Sequence, residues 1–287
     1  MAKICFIGLA GNSVFLYADH FHREGETVSA HSFYNEPGGK GYNQAVAAAR
    51  LGGACSFIGA FGKDDGAGLC VKYLQNEGIK PLPVYKDIPS AYACILTDSK
   101  GENRVTVYGG ASALLNGEDI KSLEREIVSS DMLVLQNEVS IDANIAAVEI
   151  AEKNGIPVLI NPAPAVGMET ELLKRAYVIT PNLHEAETLF GSDWEKGMKN
   201  AGIKRAVVTL GSKGAAVYED GDITTIPPIN TKVVDTTGAG DCFTAALAVM
   251  LCDGETLKNA AVFANKAASI AVSRPYAVAA MPKRKEI

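Results

Sequence analysis

The chain opens on an apolar run, Lys3 to Leu9 (K-I-C-F-I-G-L), which reads as a buried strand. It stops at Gly8 and Gly11, where an α/β sheet presents a loop to ligand. Glu26 to Phe33 alternates loosely and predicts an exposed strand. Pro37-Gly38-Gly39-Lys40-Gly41 then leads into an alanine-rich helix from Tyr42 to Leu51. A strand at Cys55 to Ala60 is followed by a turn and a helix through Asn76, closed by Glu77-Gly78. Two β-rich runs, Tyr92 to Thr97 and Asn103 to Tyr108, flank Asp98-Ser99-Lys100-Gly101-Glu102 and predict a hairpin. These strands are not interleaved with helices, so they predict a small β appendage.

From about Asp119 the periods alternate regularly. Strands are expected at Met132 to Gln136, Pro157 to Ile160, Tyr177 to Thr180 and Arg205 to Leu210, with helices between them. Such alternation means a mostly parallel sheet covered on both faces by right-handed crossovers. Ala215 to Glu219 and Ile223 to Ile226, joined at Gly221, predict an antiparallel edge, and an alanine-rich helix, Leu257 to Ser273, closes the chain. One domain over 1–287 is expected, with a lid at about 12–36 and 90–109.

Composition narrows the function. The 287 residues are 47% hydrophobic and 21% charged, with a net charge of −6 and no concentration of Lys and Arg able to neutralise several phosphates. Neither a nucleic acid nor an anionic membrane is expected as partner. No run of apolar residues is long enough to span a bilayer and no leader pattern is visible, so a cytoplasmic protein is expected. Cys5, Cys55, Cys70, Cys94, Cys242 and Cys252 lack metal or redox spacing and read as free thiols. His20 and His22 form an H-x-H pair with no third ligand in sequence reach and read as surface residues.

The densest chemistry lies in Val234 to Ala246, V-D-T-T-G-A-G-D-C-F-T-A-A. Gly238 and Gly240, flanking Ala239, let the backbone turn its N–H groups inward just before the apolar run Cys242 to Leu251 continues as a helix. Unpaired amides at a helix start favour an anion, here a phosphoryl group in transfer. Asp241 in that place could take the proton of an attacking hydroxyl, or it could simply cap the helix.

Four further motifs sit at strand ends or helix starts: Gly38-Gly39-Lys40-Gly41-Tyr42-Asn43-Gln44, Asn161-Pro162-Ala163-Pro164, Pro181-Asn182-Leu183-His184-Glu185, and Thr209-Leu210-Gly211-Ser212-Lys213-Gly214. Together with Asp235 to Asp241, and in this order, they resemble the ribokinase branch of the PfkB carbohydrate kinase family across essentially the whole chain. The resemblance implies a ribokinase-like three-layer α/β/α sandwich with a small β-sheet lid. It implies an ATP- and Mg²⁺-dependent kinase acting on the primary hydroxyl of a ribose-like furanose. The edge strands and apolar face that the β appendage would leave exposed in a monomer predict a homodimer through the two appendages.

Carried over by residue, the resemblance makes Asp241 the catalytic base and the amides of Gly238, Ala239 and Gly240 the anion hole. Gly39, Lys40, Asn43 and Glu138 would contact the sugar. Thr209, Gly211, Gly214, Gly240, Asn265 and Asn182 would contact ATP. Asn182 and Glu185 would order Mg²⁺-bound water, a modest demand because hydrated Mg²⁺ takes few direct ligands; the same N-x-x-E spacing is also a capping box. Asp235 and the Thr237 carbonyl would hold a monovalent cation such as K⁺. No Walker A pattern is present.

The chain departs from the family in two places. Gly11 and Ser13 stand where ribokinases carry N-x-D after the first strand, and Asp19 is the nearest carboxylate. Losing a bidentate carboxylate from a sugar site costs on the order of 2 to 3 kcal/mol for the cognate sugar, so the departure bears on which sugar is taken. Tyr276 and Ala280 replace the usual glycine and serine near the C-terminus, which bears on K⁺. A nucleoside, stacked on Tyr17, Tyr42 or Tyr92, or a sugar phosphate, held by Lys40 and Arg104, is an alternative substrate; a sugar binder without catalysis is an alternative of another class.

Overall fold

The apolar run of β1 (Lys3–Ile7) feeds two cores at once. Ile4 and Phe6 point into one apolar cluster, and Cys5 and Ile7 into the other on the opposite face. A strand buried on both sides belongs at the centre of a covered sheet. In the computed structural model, which describes residues 1–287, β1 pairs in parallel with β4 (Ala54–Phe61) on one side and β8 (Met132–Gln136) on the other.

Outside β4 lies β5 (Lys80–Tyr85), also parallel. Beyond β8 the sheet continues in parallel through β9 (Val158–Asn161), β10 (Val178–Ile179) and β11 (Arg205–Thr209). An antiparallel edge of β12 (Ala215–Glu219) and β13 (Asp222–Ile226) completes nine strands. Helices Lys40–Arg50, Asp65–Asn76, Ala239–Cys252 and Leu257–Ala271 cover one face; Ile141–Lys153, Leu183–Phe190 and Trp194–Asn200 cover the other. This is the three-layer α/β/α arrangement expected.

Strand order reverses at the β1/β8 boundary: the chain runs from β1 outward to β4 and β5, then restarts at β8 in the other direction. In open α/β sheets ligands bind beyond the strand ends at such a switch point. A second sheet hangs over it, formed by β3 (Ser32–Gly38), β2 (Gly11–Tyr17), β6 (Ala91–Thr97) and β7 (Asn103–Tyr108) in that order. Its strands leave the main fold after β1 and after β5, and the β6–β7 hairpin forms as expected.

Several boundaries differ from expectation. The strand expected at Glu26 to Phe33 begins only at Ser32, because Glu26 is drawn into a turn: its carboxylate accepts the Arg23 N–H at 2.8 Å and meets His20 Nε2 at 2.9 Å. β2 was not foreseen, because Val14 and Phe15 are both buried on opposite faces and no alternation shows. β5 was hidden by Pro81 and Pro83, which an edge strand tolerates. The helices expected from Tyr42 and Cys242 begin at Lys40 and Ala239.

Candidate active site

Two helices point their N-termini at the switch point. The first begins after Gly39, whose φ of 117° and whose missing side chain are both required: a Cβ there would lie 2.2 Å from the Leu9 carbonyl oxygen. The second begins after Gly238 (φ 75°), packed against Ala277 and Met281. Gly240 is different: a Cβ there would touch nothing within 4 Å, so no protein contact demands a glycine at this position.

Asp241, in the first turn of the second helix, is buried. Its Oδ2 accepts from Asn43 Nδ2 at 2.9 Å and its Oδ1 from Gln44 Nε2 at 3.0 Å. Gln44 also donates to Asn161 Oδ1 and accepts from Gln136 Nε2 at 2.6 Å, while Asn161 donates to the Thr180 carbonyl. A buried amide network therefore ties the carboxylate to the ends of β8, β9 and β10. Gln44 and Asn161 lie in sequence motifs and Gln136 ends a strand, but no local pattern assigns any of the three a role. Asn43 Oδ1 is buried without a partner, an acceptor free for a hydroxyl.

Lys40, Glu138, Glu185 and Asp241 converge electrostatically. Burial pulls the Lys40 ammonium down, yet the charges of Asp241, Glu138 and Glu185 carry it above its ordinary value. Burial pushes the Asp241 carboxyl up, opposed by Lys40 and the Asn43 and Gln44 amides. Glu138, whose Oε2 accepts the Lys40 N–H at 2.7 Å, is pushed up to about 7, chiefly by burial and against the pull of Lys40. Burial also raises Glu185.

Two cavities meet at the 236–241 turn. One, of about 200 Å³, is lined by Gly39, Lys40, Asn43, Glu138, Thr237, Gly238 and Asp241, roofed by the small sheet with Ser13, Phe15, Glu36, Tyr92, Val105 and Val107. The other, of about 650 Å³, is lined by Thr209, Gly211, Gly214, Thr236, Ala239, Gly240 and Asn265. Gly238 and Gly240 donate their N–H groups to no protein acceptor, whereas the Ala239 N–H is turned onto the Thr236 carbonyl at 3.2 Å. The open amides of the turn thus include those of the two glycines, beside the Thr236 and Asp241 N–H groups, which also meet no protein acceptor.

Asn182 and Glu185 form a reciprocal capping box, each side chain accepting the other's backbone N–H at 2.8 Å, and neither lines the larger cavity. Asp235 accepts the N–H groups of Thr237 at 2.9 Å and Tyr276 at 3.0 Å. Tyr42, weighed as a stacking residue, is instead core: fully buried, it donates its hydroxyl to the Cys70 carbonyl and meets Phe57 edge-on. Arg104, weighed as a phosphate ligand, lies over the Phe21 ring and does not line the cavity. Asp19 does not line it either, so it does not replace the missing carboxylate; Ser13 is there in its stead.

Glu36 escaped the sequence reading entirely. It is buried on β3 and accepts three backbone N–H groups, from Ala277 (2.8 Å), Val278 (3.1 Å) and Ala279 (3.0 Å). Its only sequence signal is a carboxylate one step before the P-G-G-K-G loop, and its partners lie more than 240 positions away.

A buried carboxylate set where a small polar cavity meets a larger one, across a turn with open amides, is the arrangement of a kinase acting on an alcohol. The chain belongs to the family described as pfkB family carbohydrate kinase, whose profile matches residues 1–284. It is a phosphotransferase with an alcohol group as acceptor. A ribokinase of Bacillus subtilis is 33% identical over 289 residues, covering 100% of this chain and 98% of that protein. A bifunctional ribokinase/ribose-5-phosphate isomerase A of Fructilactobacillus sanfranciscensis is 35% identical over 300 residues, and the chain, covered throughout, spans 56% of that longer protein. The structure of an Arabidopsis thaliana ribokinase complexed with ribose and ATP superposes with a TM-score of 0.88 at 29% identity, covering 99% of this chain and 97% of that one.

Proposed function

We propose that the chain transfers the γ-phosphoryl group of ATP to the primary hydroxyl of a furanose sugar of the ribose type. The carrying observation is the pair of cavities sharing the 236–241 turn, with Asp241 on the smaller side and Gly240 on the larger. The smaller holds the sugar: Asn43 Oδ1 is an unused acceptor there, Lys40 supplies donors, and Glu138 accepts. Asp241 takes the hydroxyl proton; the Gly238 and Gly240 amides and the helix dipole meet the charge on the moving phosphoryl group. The roof formed by the small sheet acts as a lid, excluding water that would compete as acceptor. The whole of 1–287 acts as one kinase domain.

ATP lies along Thr209, Gly211, Gly214 and Asn265, and Mg²⁺ would neutralise its phosphates. Glu185, half-buried and within electrostatic reach of Lys40 and Asp241, fits with Asn182 as an outer ligand pair acting through water, since the capping box uses only part of their acceptor capacity. Asp235 keeps a second lone pair on each oxygen, which with the Thr237 carbonyl fits a monovalent cation. Six free cysteines suit a reducing compartment such as the cytoplasm. No helix is long and apolar enough to cross a membrane.

Phe15 and Tyr92 on the cavity wall, with Ser13 in place of a carboxylate, support a nucleoside as second reading. Lys40 is the single basic side chain lining the cavity, which gives a sugar phosphate little to hold it.

The test is ADP release from ATP and Mg²⁺ across pentoses, hexoses, sugar acids, sugar phosphates and nucleosides. A pentose, D-ribose first, is expected to give the fastest turnover, and Asp241→Asn to reduce it by about 10²- to 10⁴-fold while ATP still binds. Near-normal turnover in that variant would remove Asp241 as the base; silence on every compound would remove the reading.

A further inference from the structure

The lid is fastened to the phosphoryl turn through a third segment, the loop Tyr276–Met281. Glu36 on β3 receives the consecutive N–H groups of Ala277, Val278 and Ala279. Two residues earlier on the same strand, Tyr34 stacks on Tyr276 with centroids 3.8 Å apart and planes 20° from parallel. Phe15 of β2 meets Tyr276 edge-on at 5.5 Å. Tyr276 holds a positive φ of 69°, a conformation that costs a non-glycine residue energy and persists only where surroundings enforce it.

The other side of this loop abuts the turn that receives the phosphoryl group. The Tyr276 N–H is held by Asp235, whose other oxygen holds the Thr237 N–H, and Gly238 packs on Ala277 and Met281. From below, Arg50, paired with Glu77, donates to the carbonyls of Val278 (2.7 Å) and Met281 (3.0 Å). Three consecutive amides of the loop, Ala277 to Ala279, thus answer to the lid, and two of its carbonyls, Val278 and Met281, to Arg50. Three amides converging on one buried carboxylate form a rigid joint rather than a surface contact.

We propose that Glu36 and Tyr276 are positioning residues that fix the sugar lid and the Gly238–Asp241 turn in one register, so that a hydroxyl bound under the lid faces the phosphoryl group in line. This rests on the kinase reading above. It predicts a split among the kinetic constants: Glu36 and Ala277 of the joint line the sugar cavity, whereas Tyr34, Glu36, Tyr276 and Ala277 are all absent from the lining of the cavity with Thr209 and Asn265.

The test compares Glu36→Ala, Glu36→Gln and Tyr34→Leu with the parent, using D-ribose and ATP, and reads kcat, both KM values and the thermal midpoint. Glu36→Ala is expected to lower kcat by about tenfold or more and raise the sugar KM, with the ATP KM within about twofold, since small misplacements of reacting groups are costly in rate. Glu36→Gln keeps one carbonyl oxygen able to accept from both Ala277 and Val278 while turning an NH2 donor towards the Ala279 N–H, and should restore part of the loss. Tyr34→Leu leaves Glu36 in place and should show the same split more weakly, which keeps the test decisive even if Glu36→Ala fails to fold. Parent kcat and sugar KM in folded Glu36→Ala and in Tyr34→Leu, or a uniform rise of both KM values, overturns the inference while leaving the kinase reading intact. A parent inactive on all acceptors overturns both.

Discussion

Asp241 is poised by opposing influences rather than by one partner. Burial raises its carboxyl, and the Lys40 charge and the Asn43 and Gln44 amides restrain that rise, with no direct ion pair to lock the proposed base. With Asp241 as the proposed base, which must be ionised to act, turnover is expected to fall as pH drops through its pKa. Removing the positive charge in Lys40→Met leaves desolvation unopposed, raises that pKa further, and moves the acid limb of kcat/KM to higher pH. At optimal pH the same variant should lose about 10- to 100-fold in kcat/KM, the scale of one charged hydrogen bond to the sugar. A pH–rate profile in D-ribose checks it; an acid limb that stays in place would mean that Lys40 does not act on Asp241.

At the scale of elements, the two glycine turns look alike in sequence and differ in physical reason. Gly39 is demanded by the fold, through φ 117° and the Leu9 carbonyl, whereas Gly240 has free space around it. Gly39→Ala should therefore cost about 1 to 3 kcal/mol of stability by backbone strain and raise the sugar KM. Gly240→Ala should leave the thermal midpoint within about 2 °C yet lower kcat or raise the ATP KM by about tenfold, because only the ligand needs that space. Melting curves beside kinetics separate the two, and equal stability losses would show that Gly240 too is structural. The contrast marks how far sequence reading reached. The two helices that follow the glycine turns, though each begins two or three residues earlier than its apolar run, the alternation from Asp119 onward and the hairpin at Asp98 to Glu102 were legible because each is a local pattern. β2 was not, since Val14 and Phe15 are buried on opposite faces, nor β5, whose prolines sit at an edge. The roles of Glu36 and Gln44 were invisible for a deeper reason: each is defined by partners brought together only by tertiary folding, such as the Ala277–Ala279 amides and Asp241.

For the whole molecule, the small sheet presents a surface that the rest of the chain does not cover. β7 is an edge strand exposed along its full length, and Val105 and Val107, on the cavity face, are 55% and 57% exposed. Ala93 and Ile95, their pairing partners on β6, share that face and line the cavity with them. An uncovered apolar strip beside an open strand edge invites pairing with another chain. A second copy placed there by a two-fold axis would bury both strips and close both sugar cavities from the open side. The protein should therefore sediment as a dimer at micromolar concentration, and Val107→Asp should shift it towards monomer while raising the sugar KM, because the same residue roofs the cavity. Sedimentation velocity with and without D-ribose checks this, with sugar expected to tighten the dimer, since ligand that binds the closed form must favour the assembly that closes it. A parent that sediments as monomer at every concentration would show that the exposed valines serve the bound sugar alone and that each lid closes without help.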